Sequence, residues 1–262
     1  MICYHGTPLG GPRIDVGRFL KGRHALIPFP RPEDLGVSLS VCQTVVVDNG
    51  AFSAWKSGNP VTDWFPYYEW LETFYRHPAF QWAIIPDVID GDEDDNDILL
   101  DEWPSNIEGV PVWHLHESLD RLARLLLWPR IAFGSSGEYH QPGSPKWERR
   151  MIEAMEVCCD ENGMMKTKVH GLRMADPRIA TRFPFASVDS TNVAQNKGGI
   201  RTYPSPTDIQ RAETIAARME HEQSPGHFTF SGQMELSYES GDAQYHPTTG
   251  KFMFNGELEE NE

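Results

Sequence analysis

Three aspartates in this chain of 262 residues stand directly after short apolar runs. Val45-Val46-Val47 leads into Asp48, Ala83-Ile84-Ile85-Pro86 into Asp87, and Ala186-Ser187-Val188 into Asp189. Further polar groups follow runs of the same kind. His114-Leu115-His116 come after Val112-Trp113, Gly134-Ser135-Ser136-Gly137 after Ile131-Ala132-Phe133, and His170-Gly171 after Val169. Carboxylates crowded into one cleft repel each other, so one is pushed toward the protonated form while another stays charged. That prepares an acid and a base in the same site. Phe52, four residues past Asp48, would offer a ring to a planar ligand there.

His114-x-His116 also invites a metal reading, because alternate residues of a strand point the same way and Asp189 could complete a ligand set. No second pair of ligands accompanies them. Cys158 and Cys159 are adjacent on a predicted helix, where their side chains diverge, so the cysteines offer no zinc framework. The expectation is therefore a site without metal or cofactor.

The elements that must position these residues are legible as alternation. Strand-like runs occur at 24–29, 44–47, 81–85, 111–116, 130–133, 168–172 and 185–188, with an eighth at 2–4. Several are continuously apolar, as parallel strands buried on both faces are. Amphipathic stretches at 62–76, 93–103, 118–128, 145–162, 176–183 and 207–223 lie between and after them. Thr62 and Ser118 read as N-caps, and Gly163 as the stop after the fourth stretch. Alternation of this kind gives βαβ units, and eight strands favour an α/β (β/α)8 TIM barrel over residues 1–224. No Gly-x-Gly-x-x-Gly follows the first strand, which removes the best support for an open dinucleotide-binding sheet. Residues 225–262 read as a β-hairpin-like appendage with an acidic tail, built from His227–Phe230, Met234–Tyr238 and Lys251–Phe254.

In such a barrel the loops after the strands converge on one mouth, so the three aspartates, the histidines and the Gly-Ser loop would share a cavity. Charge bears on what could enter it. The formal net charge is −15, which ordinarily opposes a nucleic-acid partner. Nine carboxylates lie between Asp87 and Glu102 with no Lys or Arg, and four more in the tail from Glu257, leaving only −2 elsewhere. From Lys146 to Arg218 twelve basic residues outnumber nine acidic ones, so one face can still accept phosphates. No run of 18 apolar residues suits a membrane span, and Met1–Pro8 has no secretory character. Four cysteines without paired spacing fit a reducing cytoplasm.

Taken in order, the strand-end segments resemble the tRNA-guanine transglycosylase superfamily. Asp48-Asn49-Gly50-Ala51-Phe52 is similar to that family's Asp-Ser-Gly-Gly/Ala-Phe/Tyr-Gln loop. Val188-Asp189-Ser190-Thr191-Asn192 and the stretch through Gly198 resemble its nucleophile segment, and His170-Gly171-Leu172 its Met/His-Gly-x-Gly strand. The matches run in order between positions 44 and 200.

The resemblance implies Asp189 as nucleophile on the nucleoside C1′ and Asp48 as general acid/base at the departing purine. It implies that Asp87 accepts from the purine's N1–H and exocyclic amine, with His114, His116, Gly134 and Ser135 beside the base. Phe52 and His170 would sandwich the ring, and Arg173, Lys197 and Arg201 would meet the nucleic acid. Asn49 and Ser53 depart from the family's Ser and Gln, and its Cys-x-Cys-x-x-Cys…His zinc site is absent. A short, zinc-less chain is more like the branch that inserts 7-deazaguanine derivatives into DNA, found in bacteria and bacteriophages. The implied partners are DNA at guanine sites and a 7-deazaguanine base such as preQ0, with no membrane, and the reading is compatible with a homodimer. The alternatives are the same exchange on tRNA and a TIM-barrel hydrolase or nucleosidase, metal-dependent in one form.

Overall fold

A computed structural model describes residues 1–196 and 208–230, with the backbone of 244–246 and 251–253. Nine strands form one sheet in which every pair is parallel. They are β1 (Ile2–Gly6), β2 (His24–Pro28), β3 (Thr44–Asp48), β4 (Phe80–Ile84), β5 (Gly109–Val110), β6 (Val112–His114), β7 (Arg130–Gly134), β8 (Lys168–Gly171) and β9 (Ser187–Ser190). Their order is β5-β4-β3-β2-β1-β9-β8-β7-β6, and its two ends are the same stretch of chain, divided at Pro111. Proline has no N–H to give a ladder, so the strand breaks there. The neighbours still hold it on both sides: Ile85 N–H donates to Val110 O at 3.0 Å and Ala132 N–H to Pro111 O at 2.8 Å. The ring thus closes through eight chain passes, and the fold is an α/β TIM barrel.

The helices are α1 (Arg13–Leu20), α2 (Leu35–Val41), α3 (Ala51–Lys56), α4 (Phe65–Glu72), α5 (Glu93–Asp101), α6 (Leu119–Leu125), α7 (Pro145–Cys158), α8 (Pro177–Ala180), α9 (Asn192–Asn196) and α10 (Asp208–His221). Period-2 alternation sorts each strand between two cores. Tyr4, Leu26, Val46, Trp82, Ile84, Val110, Val112 and Ala132 fill the barrel interior. Val45, Val47, Ile85, Phe133, Trp147 and Met151 belong to the larger layer between strands and helices. Fully burying one such side chain stabilises by about 1.5–3 kcal/mol, so the outer layer holds the helices on the ring.

The acidic stretch at 87–102 has structural employment. Asp92 and Asp95 form a reciprocal capping box at the start of α5, where the helix dipole favours negative charge. Glu93 and Asp97 face Arg124, and Asp97 also pairs with Arg121 at 3.0 Å. Ser118 caps α6 as expected, accepting from Arg121 N–H.

Several boundaries differ from the sequence expectation. The helix expected from Thr62 starts at Phe65, where the preceding Asp63 side chain accepts the Phe65 N–H at 3.0 Å. The fourth stretch ends at Cys158, and Gly163 serves a later turn at φ 76°, with Phe228 O where a Cβ would stand. His227–Phe230 is not a strand. Its alternating phenylalanines dock instead, with Phe228 stacked on Phe183 at 6.1 Å and its N–H donating to Gly163 O. β10 (Gln244–His246) and β11 (Lys251–Met253) pair antiparallel, whereas 234–238 lies outside the described residues. Among the described residues, no helix is long and apolar enough to cross a membrane.

Candidate active site

Asp48, Asp87 and Asp189 meet at the C-terminal ends of β3, β4 and β9. Burial pushes the Asp48 carboxyl up to about 7, and the charges of Asp189 and Asp87 add to the rise. Arg173 and the Gly50 N–H oppose it. Asp48 thus exchanges its proton near neutrality, which suits a general acid/base.

Asp87 is held on both oxygens. Asn49 Nδ2 lies 2.7 Å from Oδ1 and also donates to Ile85 O at 2.9 Å. His114 Nε2 lies 2.8 Å from Oδ2. Asn49 is oriented in turn by the Ala51 N–H, which donates to its Oδ1 at 2.8 Å. The loop can turn this tightly because Gly50 takes φ 83°, and a Cβ there would fall 2.4 Å from Pro30. Each carboxylate oxygen keeps lone-pair capacity beyond these bonds, so Asp87 can still accept from a ligand's N–H edge.

His114 is the last residue of β6, and beneath it sits a buried network. Glu117 accepts from the His114 N–H at 2.9 Å, from Asn96 Nδ2 at 2.9 Å and from Arg121 at 2.7 Å. His116 lies beyond the strand, in the following turn. Its ring stacks on His114 at 5.7 Å, while its Nδ1 is 2.7 Å from Ser136 Oγ. The shared-face premise of a His-x-His metal pair therefore fails, because the strand ends before His116 and each ring has its own partner. Among the described residues, no group of three His, Cys, Asp or Glu is arranged to hold a metal ion.

Asp189 is 4% exposed, and its Oδ1 accepts the Arg173 N–H at 2.8 Å. Arg173 itself sits at φ 60°, a conformation side chains rarely adopt. From there its guanidinium reaches across the mouth and lies 3.7 Å from the centroid of Phe52. One residue thus joins the loop after β8 to the first turn of α3.

Four assignments change. His170 does not offer a face to the mouth: it is fully buried in the barrel, edge-on to Tyr4 and Trp82. Phe52 is at the mouth, but in this structure the guanidinium of Arg173 covers its ring. Ser135 turns to the scaffold, its Oγ 2.9 Å from Trp147 Nε1, and so ties β7 to α7. Gly134 O already accepts the Leu115 N–H, and a Cβ at Gly134 would meet His114 Nδ1 at 3.0 Å. The smallness of Gly134 therefore makes room for His114. Lys197 and Arg201 lie outside the described residues.

Sequence reasoning passed over Asn49, Asn96 and Glu117 as functional groups. Asn49 carried one signal, its position directly after Asp48 at a strand end. Asn96 and Glu117 sit among many carboxylates and amides and carried none.

No described protein family matches the sequence, and no curated protein is similar to it. Solved structures similar to this chain include two of tryptophan synthase. A chain of tryptophan synthase from M. tuberculosis has a TM-score of 0.45 and 11% identity over 84% of this chain and 90% of that one. A chain of the tryptophan synthase complex from Pyrococcus furiosus gives 0.45 and 12% over 84% and 95%.

Proposed function

We propose that this barrel is an enzyme, a transglycosylase that exchanges a guanine in DNA for a 7-deazaguanine base such as preQ0. The observation that carries the reading is the pairing of two unlike carboxyls. Asp48 is pushed up to about 7 beside Asp189, whose one oxygen is fixed by a backbone N–H.

In the first half-reaction Asp189 attacks C1′ and a carbon–oxygen bond forms. The C1′–N9 bond breaks, its electron pair leaves with the purine, and Asp48 supplies the proton that neutralises the leaving base. In the second, the incoming base gives its ring N–H proton to Asp48 and its nitrogen attacks C1′, which releases Asp189. Dividing one hard displacement into two easier ones is the gain from a covalent glycosyl-enzyme. Asp87, oriented by Asn49 and His114, presents acceptors to the N1–H and exocyclic amine of guanine. An adenine-like edge has an acceptor at N1 and is disfavoured there.

The nucleotide must leave its stack to reach the mouth, and π-faces offset part of that cost. For Phe52 to contribute its face, Arg173 must swing off the ring, which frees the guanidinium for a phosphate.

The test is mass spectrometry of nucleosides from DNA and tRNA of cells carrying the wild type or Asp189→Asn. A 7-deazaguanine nucleoside in DNA, dependent on Asp189, is the expected result. The same nucleoside in tRNA alone would transfer the reaction to tRNA. Release of free guanine without insertion would make the protein a nucleosidase.

A further inference from the structure

Resting on the reading of Asp189 as nucleophile, we propose that His170 is its positioning residue, with the proton on Nε2 aimed at Asp189 Oδ1. The attacking oxygen is then Oδ2. The inference starts from an unusual line of polar groups inside the barrel. Arg130, on β7, donates from a guanidinium nitrogen to Ser187 Oγ at 3.3 Å. Ser187 Oγ lies 2.9 Å from His170 Nδ1, and both residues are fully buried. His170 Nε2 stands 3.4 Å from Asp189 Oδ1 and has no hydrogen-bond partner within normal distance.

An orphaned buried polar atom costs about 1–3 kcal/mol, and His5 Nδ1 and His114 Nδ1 are left open as well. Here the atom left open is the one that faces the nucleophile. The chain also favours one tautomer. Arg130 can only donate, so Ser187 Oγ accepts from it and is free to give its own proton to His170 Nδ1. Nδ1 then accepts, the ring proton sits on Nε2, and Nε2 donates toward the carboxylate. Catalytic hydrogen bonds are often long in a free enzyme and tighten when substrate engages.

With Arg173 N–H on Oδ1 and His170 Nε2 facing the same atom, the polar contacts of Asp189 among the described residues fall on one oxygen. Oδ2 keeps its lone pairs for C1′. Among the described residues, the ionisable groups facing the ring are Tyr4 from β1 and Asp189 from β9, and Arg130 from β7 reaches it through Ser187. The ring itself is clamped by edge contacts to Tyr4 at 6.0 Å and Trp82 at 5.0 Å. A residue so fixed can direct a carboxylate without touching substrate.

Two measurements test this. Nitrogen-15 NMR of histidine-labelled wild-type protein at pH 8 should show His170 with Nδ1 unprotonated and Nε2 protonated; a proton on Nδ1 would overturn the proposal. In base exchange, His170→Leu should lower kcat about 10²-fold, the usual scale for one preorganised donor, with KM within about threefold. The acidic limb of its rate profile should move to higher pH. His170→Gln, whose amide can reach the same place, should restore that limb. Equal losses in both variants with an unmoved limb would reduce His170 to a packing role. Should His170→Leu not fold, the tautomer in the wild type decides alone. Wild type that exchanges no base refutes the proposed function and leaves the tautomer result intact, so the two failures are separable.

Discussion

Asn49 donates its side-chain amide to Asp87 across 2.7 Å, and so ties the loop after β3 to the end of β4. The pair is 38 residues apart in the chain. The residue after Asp48, which departs from the pattern the motif resembles, is therefore what aims the proposed base reader. Asn49→Ala should cost about 1–3 kcal/mol of stability, because Ile85 O, Ala51 N–H and Asp87 each lose a buried partner. It should also weaken guanine and preQ0 binding at least tenfold. Thermal melts beside calorimetric titration with the free base check both, and unchanged base affinity would remove Asn49 from the site.

Asp48, pushed up to about 7, sets a pH dependence of activity and stability. As the proposed general acid it must carry its proton in the first half-reaction, so the rate of base release should fall above about pH 7. For stability the folded value lies above the ordinary one. The folded state thus binds this proton more tightly, and its advantage disappears as pH rises through about 7. Asp48→Asn should therefore abolish base release while raising Tm at pH 8 by a few degrees (about 3–6 °C) relative to wild type, with little change at pH 4. Melting curves across that range would refute the buried carboxyl if the two proteins ran parallel.

Asp189→Asn keeps an oxygen for the Arg173 N–H and so should preserve the fold, with Tm within about 2–4 °C of wild type. Loss of the proposed nucleophile should lower exchange at least ~10³-fold. Mass spectrometry of the intact protein incubated with a guanine-containing oligonucleotide should detect a covalent adduct in the wild type only. Normal exchange by the variant would end the nucleophile assignment.

Arg173→Ala uncovers Phe52 and removes the positive charge that opposes the rise of Asp48. If the guanidinium moves to a phosphate on binding, the variant should bind DNA more weakly and lower the slope of log K against log salt by about 1. Free preQ0 affinity should hold or improve. Fluorescence anisotropy over a salt series measures the first; an unchanged slope would restrict Arg173 to orienting Asp189.

Much of the frame was legible because its physics is local. A parallel strand covered on both faces must be an apolar run, and a polar residue that ends such a run must stand at its rim. Asp48, Asp87, His114 and Asp189 were found that way. Ser118 announced a cap by its own hydroxyl. The helices α1, α2, α3 and α9 went unread because they are short: α1 mixes Arg13, Asp15 and Arg18 with its apolar residues, α3 spans only Ala51–Lys56 and α9 only Asn192–Asn196. His227–Phe230 misled in the opposite direction, since an alternating pair of phenylalanines looks the same whether it enters a sheet or docks on one.

The sequence by itself determined which residues stand at the strand ends and how many chain passes the barrel has. Tertiary structure alone decided their partners and their states. Asn49 with Asp87, His170 with Asp189 and Arg173 with Phe52 are contacts between different strands or loops, made only when the strands assemble into the sheet. The raised carboxyl of Asp48 has the same origin, because desolvation and like-charge repulsion depend on distance in space, and no spacing along the chain records it.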